Sequence, residues 1–251
     1  MDRREAMLRE LNLYPQWKLR VRSAQVVQEE PAPISIAAEA IAPTAIDKKT
    51  PFSSSPSAVG GRSDIGNLGW TELKQQVRDC TACKLRAGCT QTVFGVGDEK
   101  ADWLFVGEGP GADEDALGEP FVGQAGKLLD NMLMSIKLKR GNNVYIANIV
   151  KCRPPGNRNP EADEVATCLP YLQRQIELIQ PKMIVALGKV ASNALLGKDA
   201  TLASLRGKLH EYRGIPLIVT YHPAYLLRSP NEKAKAWQDL CMAVRTRHGE
   251  A

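Results

Sequence analysis

Cys80 and Cys83 form a C-x-x-C pair, and Cys152 and Cys168 follow with fifteen residues between them. A C-x-x-C turn presents two thiolates to one metal centre, and two further cysteines complete a tetrathiolate site. Zinc sites more often carry a second C-x-x-C. Here the second pair is wide and begins just before Pro154, which suits zinc less well. Of the six cysteines, two are left over. Cys241 reads as a core thiol on the last helix, and Cys89, six residues after Cys83, is the rival for a ligand position.

Three other segments carry groups that could act on a flat polar ligand. Gly107-Glu108-Gly109-Pro110-Gly111-Ala112 fits the dinucleotide pattern G-x-G-x-x-G/A. Pro110 has no N–H for a pyrophosphate, however, and Asp113, Glu114 and Asp115 would repel one. No acidic residue stands between Asn148 and Lys151 to hold a ribose. The loop can instead let a flat ligand approach the backbone, with a carboxylate beside it. Asn148 offers both a donor and an acceptor, enough to read a base edge, although a lone Asn at a strand end more often caps a turn. Of three histidines, His210 falls in a hairpin and His248 in the tail. His222 could donate a hydrogen bond to a leaving group that gains negative charge, with a packed core histidine as the equal alternative.

These groups need a scaffold. Apolar runs at 103–106, 144–147, 183–187 and 215–220 predict strands, the last after a short hairpin partner at 208–212. Helices are expected over 70–79, 124–137, 162–179 with a kink at Pro170, 191–196 and 232–245. Strands alternating with helices imply a three-layer α/β/α domain around a central, mostly parallel four-stranded sheet. Such sheets place their chemistry past the carboxyl ends of the strands. The predicted ends lead to Gly107, Asn148, Gly188 and His222-Pro223.

The chain has 251 residues, 43% hydrophobic and 24% charged, with a net charge of +5. That permits a globular core and nucleic-acid binding without requiring the latter. No apolar run approaches the ~18 residues of a membrane span. Met1 to Arg22 is charged throughout, so no secretory signal is expected, and the cytoplasm is the expected compartment, where structural disulfides are rare. Residues 1–22 read as a short amphipathic helix, solvated or docking an unknown partner. Residues 23–66, rich in Ala, Pro and Ser, read as a flexible linker before a catalytic domain over 67–251.

Taken together, the motifs resemble the family 4 uracil-DNA glycosylases, the iron–sulfur branch of the uracil glycosylase superfamily. The matching segments are Cys80-Thr81-Ala82-Cys83, the run from Val106 to Asp115, Pro120-Phe121-Val122-Gly123, Asn148 to Pro155, and His222 to Arg228. The resemblance implies a monofunctional hydrolase of DNA base excision repair that flips uracil out of DNA and leaves an abasic site. It implies a [4Fe–4S] cluster on Cys80, Cys83, Cys152 and Cys168. Phe121 would stack on the uracil, Asn148 would read its Watson–Crick edge, and the backbone at Glu108 and Gly109 would line the pocket. His222 would hydrogen-bond O2 of the departing base. Glu114 would form the wall that excludes the thymine methyl. The best-known branch uses an Asp to position the attacking water, and Gly109 stands in its place, so Glu108, Glu114 and Asn157 are the candidates for that role. Leu226, Leu227 and Arg228, on an exposed loop with Tyr225, would act as the wedge, with core packing as the plain alternative for the two leucines. Arg153, Arg158, Lys151 and Arg228 would contact phosphates, whereas Lys127 fits a solvated helix face better. A monomer acting on uracil-containing DNA is expected. No basic inserted loop is present to form a covalent DNA adduct, so free turnover is expected.

Three other functions compete with it. One is a non-catalytic iron–sulfur protein that only recognises DNA. Another is a glycosylase for a different deaminated base, such as hypoxanthine. The third is a nucleotide-dependent oxidoreductase, which Pro110 and the missing ribose carboxylate oppose.

Overall fold

A computed structural model describes residues 65–249. The expectations for residues 1–22, and for nearly all of 23–66, lie outside the described residues.

The sheet is built from β1 (Val96–Gly97), β2 (Trp103–Gly107), β3 (Val144–Asn148), β4 (Met183–Leu187), β5 (Leu209–Tyr212) and β6 (Ile215–Thr220). Its order is β1-β3-β2-β4-β6-β5. The four central strands are parallel, and β1 and β5 pair antiparallel at the two edges. The expected four-stranded sheet is therefore the parallel centre of a six-stranded mixed one. β5 is the hairpin partner expected at 208–212. β1, two residues long, is too short to show any periodicity in the sequence.

Successive residues of a strand point to opposite faces, and both faces here are covered. Leu104, Val106, Tyr145, Ala147, Ile184 and Ala186 pack on one side. They meet α1 (Trp70–Arg78), α4 (Ala162–Ile179) and α5 (Lys189–Leu196), with α6 (Leu202–Leu205) beside them. Trp103, Phe105, Val144, Ile146, Met183 and Val185 pack on the other side. There they meet α3 (Gln124–Ser135), α7 (Pro223–Arg228) and α8 (Lys233–His248). Burial on both faces explains why β2, β3 and β4 read as unbroken apolar runs. α4 continues as one helix through Pro170.

Two short helices stand where loops were expected. α2 (Ala112–Leu117) opens directly after the glycine loop. The Glu114 carboxylate accepts from the Gly111 N–H at 3.0 Å in a capping box. Asp113, Glu114 and Asp115 fill its first turn, where the helix dipole favours negative charge. The second is α7, which begins at Pro223 immediately after His222.

Candidate active site

The parallel strands bring the predicted ends together. Gly107 pairs with Asn148 across β2 and β3, and Leu187 pairs with Thr220 across β4 and β6. A cavity of about 380 Å³ opens past them, and its lining includes Glu108, Gly109, Glu114, Phe121, Asn148, Asn157, His222 and Arg228.

Asn148 is 2% exposed, and its Oδ1 has no hydrogen-bond partner. A buried acceptor without a partner is costly, so a donor delivered by a ligand would satisfy it. Phe121 lies beside it at φ 56°, a conformation that aromatic residues rarely adopt. Arg140 and Glu114 hold it there. Arg140 donates to the Pro120 carbonyl at 2.9 Å and to the Phe121 carbonyl at 2.7 Å. Arg140 Nε is in turn fixed by Asp130 at 2.9 Å. The Glu114 carboxylate accepts from the Val122 and Gly123 N–H groups at 2.9 and 3.1 Å. Gly126 in α3 completes the fit, because a Cβ there would run into the Phe121 carbonyl.

His222 is the N-cap of α7, and its Nδ1 accepts from the Ala224 N–H at 3.2 Å. That contact places the proton of a neutral ring on Nε2. Burial, together with the charge of Arg228, lowers the His222 pKa to about 4. The ring is therefore neutral at physiological pH and still a donor. It lies 5.5 Å, centroid to centroid, from Phe121. Gly188 admits the His222 side chain, since a Cβ there would sit 3.0 Å from the His222 Cβ.

The three water-activating candidates differ in their bonding. Both oxygens of Glu114 are held by backbone N–H groups. The Asn157 side-chain Oδ1 accepts from Arg153 Nε at 2.7 Å at the exposed rim. Burial raises the Glu108 carboxyl above the usual carboxylate range. Gly109 has little room for a side chain, because a Cβ there would lie 2.7 Å from Val150 Cγ2.

Comparison with known proteins matches residues 94–241 to the uracil DNA glycosylase superfamily. The chain belongs to that superfamily. It is 45% identical over 167 residues to a type-4 uracil-DNA glycosylase of Archaeoglobus fulgidus, covering 63% of this chain and 83% of that one. It is 45% identical over 168 residues to one of Sulfurisphaera tokodaii, covering 64% and 76%. It is 41% identical over 179 residues to one of Pyrobaculum aerophilum, covering 68% and 91%. The type-4 branch is thus its place in the superfamily.

Five cysteines of this glycosylase lie on the α1 side of the sheet, whereas Cys241 stands half-buried in α8 on the other. Cys80, Cys83, Cys152 and Cys168 line one cavity, together with Leu85, Lys151 and Tyr171. Burial is the first cause that raises the thiols of Cys83, Cys152 and Cys168, the last to about 11. Such thiols ionise readily only with a cation to meet them. Among the described residues, no group of three His, Cys, Asp or Glu side chains is arranged to hold a single metal ion. Four cysteine thiols on one lining are a donor set of the kind that iron–sulfur clusters use. Cys89 does not line the cavity. It contacts Arg86 and helps to raise the Cys152 thiol.

Burial corrects two expected DNA contacts, Lys151 and Leu226. Lys151 is 1% exposed, donates to the Asn148 carbonyl and to Gln175, and cannot reach a phosphate. Arg158 is bound through both terminal nitrogens to Glu164. Leu226 is 1% exposed and belongs to the core. Adjacent helix positions face about 100° apart, so the turn that buries Leu226 leaves its neighbours outside. Tyr225 and Leu227 are 39% and 44% exposed, and Arg228 and Lys127 are exposed as well. Tyr225 is braced by stacking on Tyr221 with centroids 5.1 Å apart, and the Arg206 guanidinium covers the Tyr221 ring at 4.1 Å. Arg140 and Gly126 were not foreseen, because each acts on the backbone of the Phe121 turn, whereas Gly188 was expected only as a strand end.

Proposed function

We infer that this chain removes uracil from DNA by hydrolysing the bond between C1′ of the sugar and N1 of the base, leaving an abasic site. The buried, unpartnered Oδ1 of Asn148 carries this reading. Uracil offers an N3–H to that oxygen and an O4 to the amide N–H, whereas cytosine reverses both groups. A mispaired buried amide costs ~1–3 kcal/mol, which favours uracil without contact to its partner strand.

A flipped base would enter the cavity and stack on Phe121. As the C1′–N1 bond breaks, the electron pair leaves with the base and charge develops on O2. Nε2–H of the neutral His222 donates to that oxygen, a donor already in position when charge appears. Water then attacks a sugar with oxocarbenium character. Among Glu108, Glu114 and Asn157, the best candidate to take the water's proton is Glu108. Its raised carboxyl is the stronger base, and Glu114 is already committed to holding the Phe121 loop. Leu227 is the favoured wedge in place of Leu226, with Arg228 and Arg153 as phosphate contacts.

Cys80, Cys83, Cys152 and Cys168 would hold a [4Fe–4S] cluster, which supplies iron–thiolate cross-links between the segment after α1, the β3–α4 connection and α4. The enzyme is expected to act as a monomer in the cytoplasm, where a reducing medium keeps thiols free.

The test is cleavage of an oligonucleotide bearing one uracil, followed by alkali, for wild type and His222→Ala. Scission only at uracil, much slower in the variant, is expected. An intact uracil strand with folded, iron-loaded wild type would overturn the enzymatic reading.

A further inference from the structure

Among the described residues, Lys151 is a buried cation with no buried carboxylate as its partner. It is 1% exposed, and its Nζ donates to the Asn148 carbonyl at 2.9 Å and to Gln175 Oε1 at 2.6 Å, both neutral. The buried carboxylates are committed elsewhere. Glu164 binds Arg158, Asp239 binds Arg206, and Asp115 accepts from the Thr90 and Gln91 N–H groups. A buried ammonium without a counter-charge is strongly disfavoured. Lys151 also lines the cysteine cavity, and its own N–H donates to Cys168 Sγ at 3.2 Å. The same residue therefore borders the thiol cavity through its backbone N–H and reaches the last carbonyl of β3 through its Nζ. Gln175 secures it from α4 by donating to the Phe94 carbonyl at 3.0 Å.

We propose that Lys151 is a positioning residue that serves as the internal counter-cation of the cysteine-bound cluster and, through the Asn148 carbonyl, ties the cluster to the base-reading amide. This rests on the cluster assignment above. A cluster on four thiolates carries net negative charge, and a nearby cation stabilises its more negative, reduced form. Removing that cation makes reduction harder. It also frees the end of β3 on which Asn148 depends.

The experiment first measures iron and sulfide in the wild type, then compares Lys151→Met, Gln175→Met and Gln175→Glu. The readouts are the reduction potential of the cluster and the kinetics on uracil DNA. Lys151→Met is expected to shift the potential to a more negative value and to lower kcat/KM roughly 10–100-fold, as outer partners of metal sites do. Gln175→Met disturbs the same packing but keeps the cation, so its potential should stay near that of wild type. Gln175→Glu sets a carboxylate against the ammonium and should shift the potential negative again. That variant decides the matter if Lys151→Met does not fold. A loaded Lys151→Met protein, or failing it Gln175→Glu, with an unshifted or more positive potential overturns the proposal alone. A wild type without iron and sulfide overturns the cluster assignment, and this proposal with it.

Discussion

Asn148 and Phe121 meet over a residue that has no side chain. A Cβ on Gly107 would lie against Asn148 Oδ1 and 2.5 Å from Phe121 Cζ. Both partners are buried and both are fixed from elsewhere, Phe121 by Arg140 and Glu114 and Asn148 by the end of β3. Gly107→Ala should therefore displace the ring or the amide. Uracil excision is expected to fall by two orders of magnitude or so, about 3 kcal/mol of transition-state stabilisation. Single-turnover kinetics beside a thermal melt will separate this from unfolding.

Asn148→Ala should remove excision while leaving stability nearly intact. The Oδ1 makes no hydrogen bond to the rest of the described chain, so its removal relieves an acceptor unsatisfied by the protein, worth about 1–3 kcal/mol, and offsets the lost packing. A melting temperature within a few degrees of wild type is expected. A collapse of stability would mean that the amide is structural.

The His222 pKa of about 4 gives a pH signature. An unfolded histidine titrates near 6.5. Between these values the unfolded chain binds a proton that the folded one does not, so this group's contribution to stability falls as pH drops from 6.5 through 4. Urea midpoints followed over that range should decline less for His222→Gln than for wild type. Excision should not lose activity to protonation of His222 until the pH nears 4.

Arg140 joins two successive carbonyls at the Phe121 turn. Arg140→Met should loosen that turn and cut kcat/KM about tenfold or more, since charged hydrogen bonds of this kind contribute ~1.5–3 kcal/mol. Asp130→Asn, which only steadies the guanidinium at a more exposed site, should cost less. Equal losses in both variants would assign the effect to the ion pair instead.

The cysteine assignment separates two neighbours. Cys168→Ser should lose iron and stability together, because metal-binding energy is also folding energy. Cys89→Ala, outside the cavity lining, should retain its iron. Iron assay and absorbance of purified protein will read both.

The sequence by itself determined the central strands, the long helices and the candidate reacting groups. Apolar runs buried on both faces predicted β2, β3, β4 and β6, because such a run has no solvent side to show alternation. The rule that parallel sheets react at their carboxyl ends brought Glu108, Asn148 and His222 forward as neighbours. The acidic run at 113–115 was legible as charge but not as a helix start, because its meaning depends on Glu114 reaching the N–H groups of Gly111, Val122 and Gly123. Leu226 and Leu227 are identical in type and adjacent, and only the helical turn of α7 against the core separates the buried one from the exposed one. Lys151 reads as a phosphate contact in one dimension. Its burial beside Gln175 and Cys168 is set by the packing of α4 on the sheet. Side-chain chemistry is a local property that the sequence carries. Desolvation and hydrogen-bond partnership depend on residues far along the chain, so only the tertiary structure decides which of those groups can act.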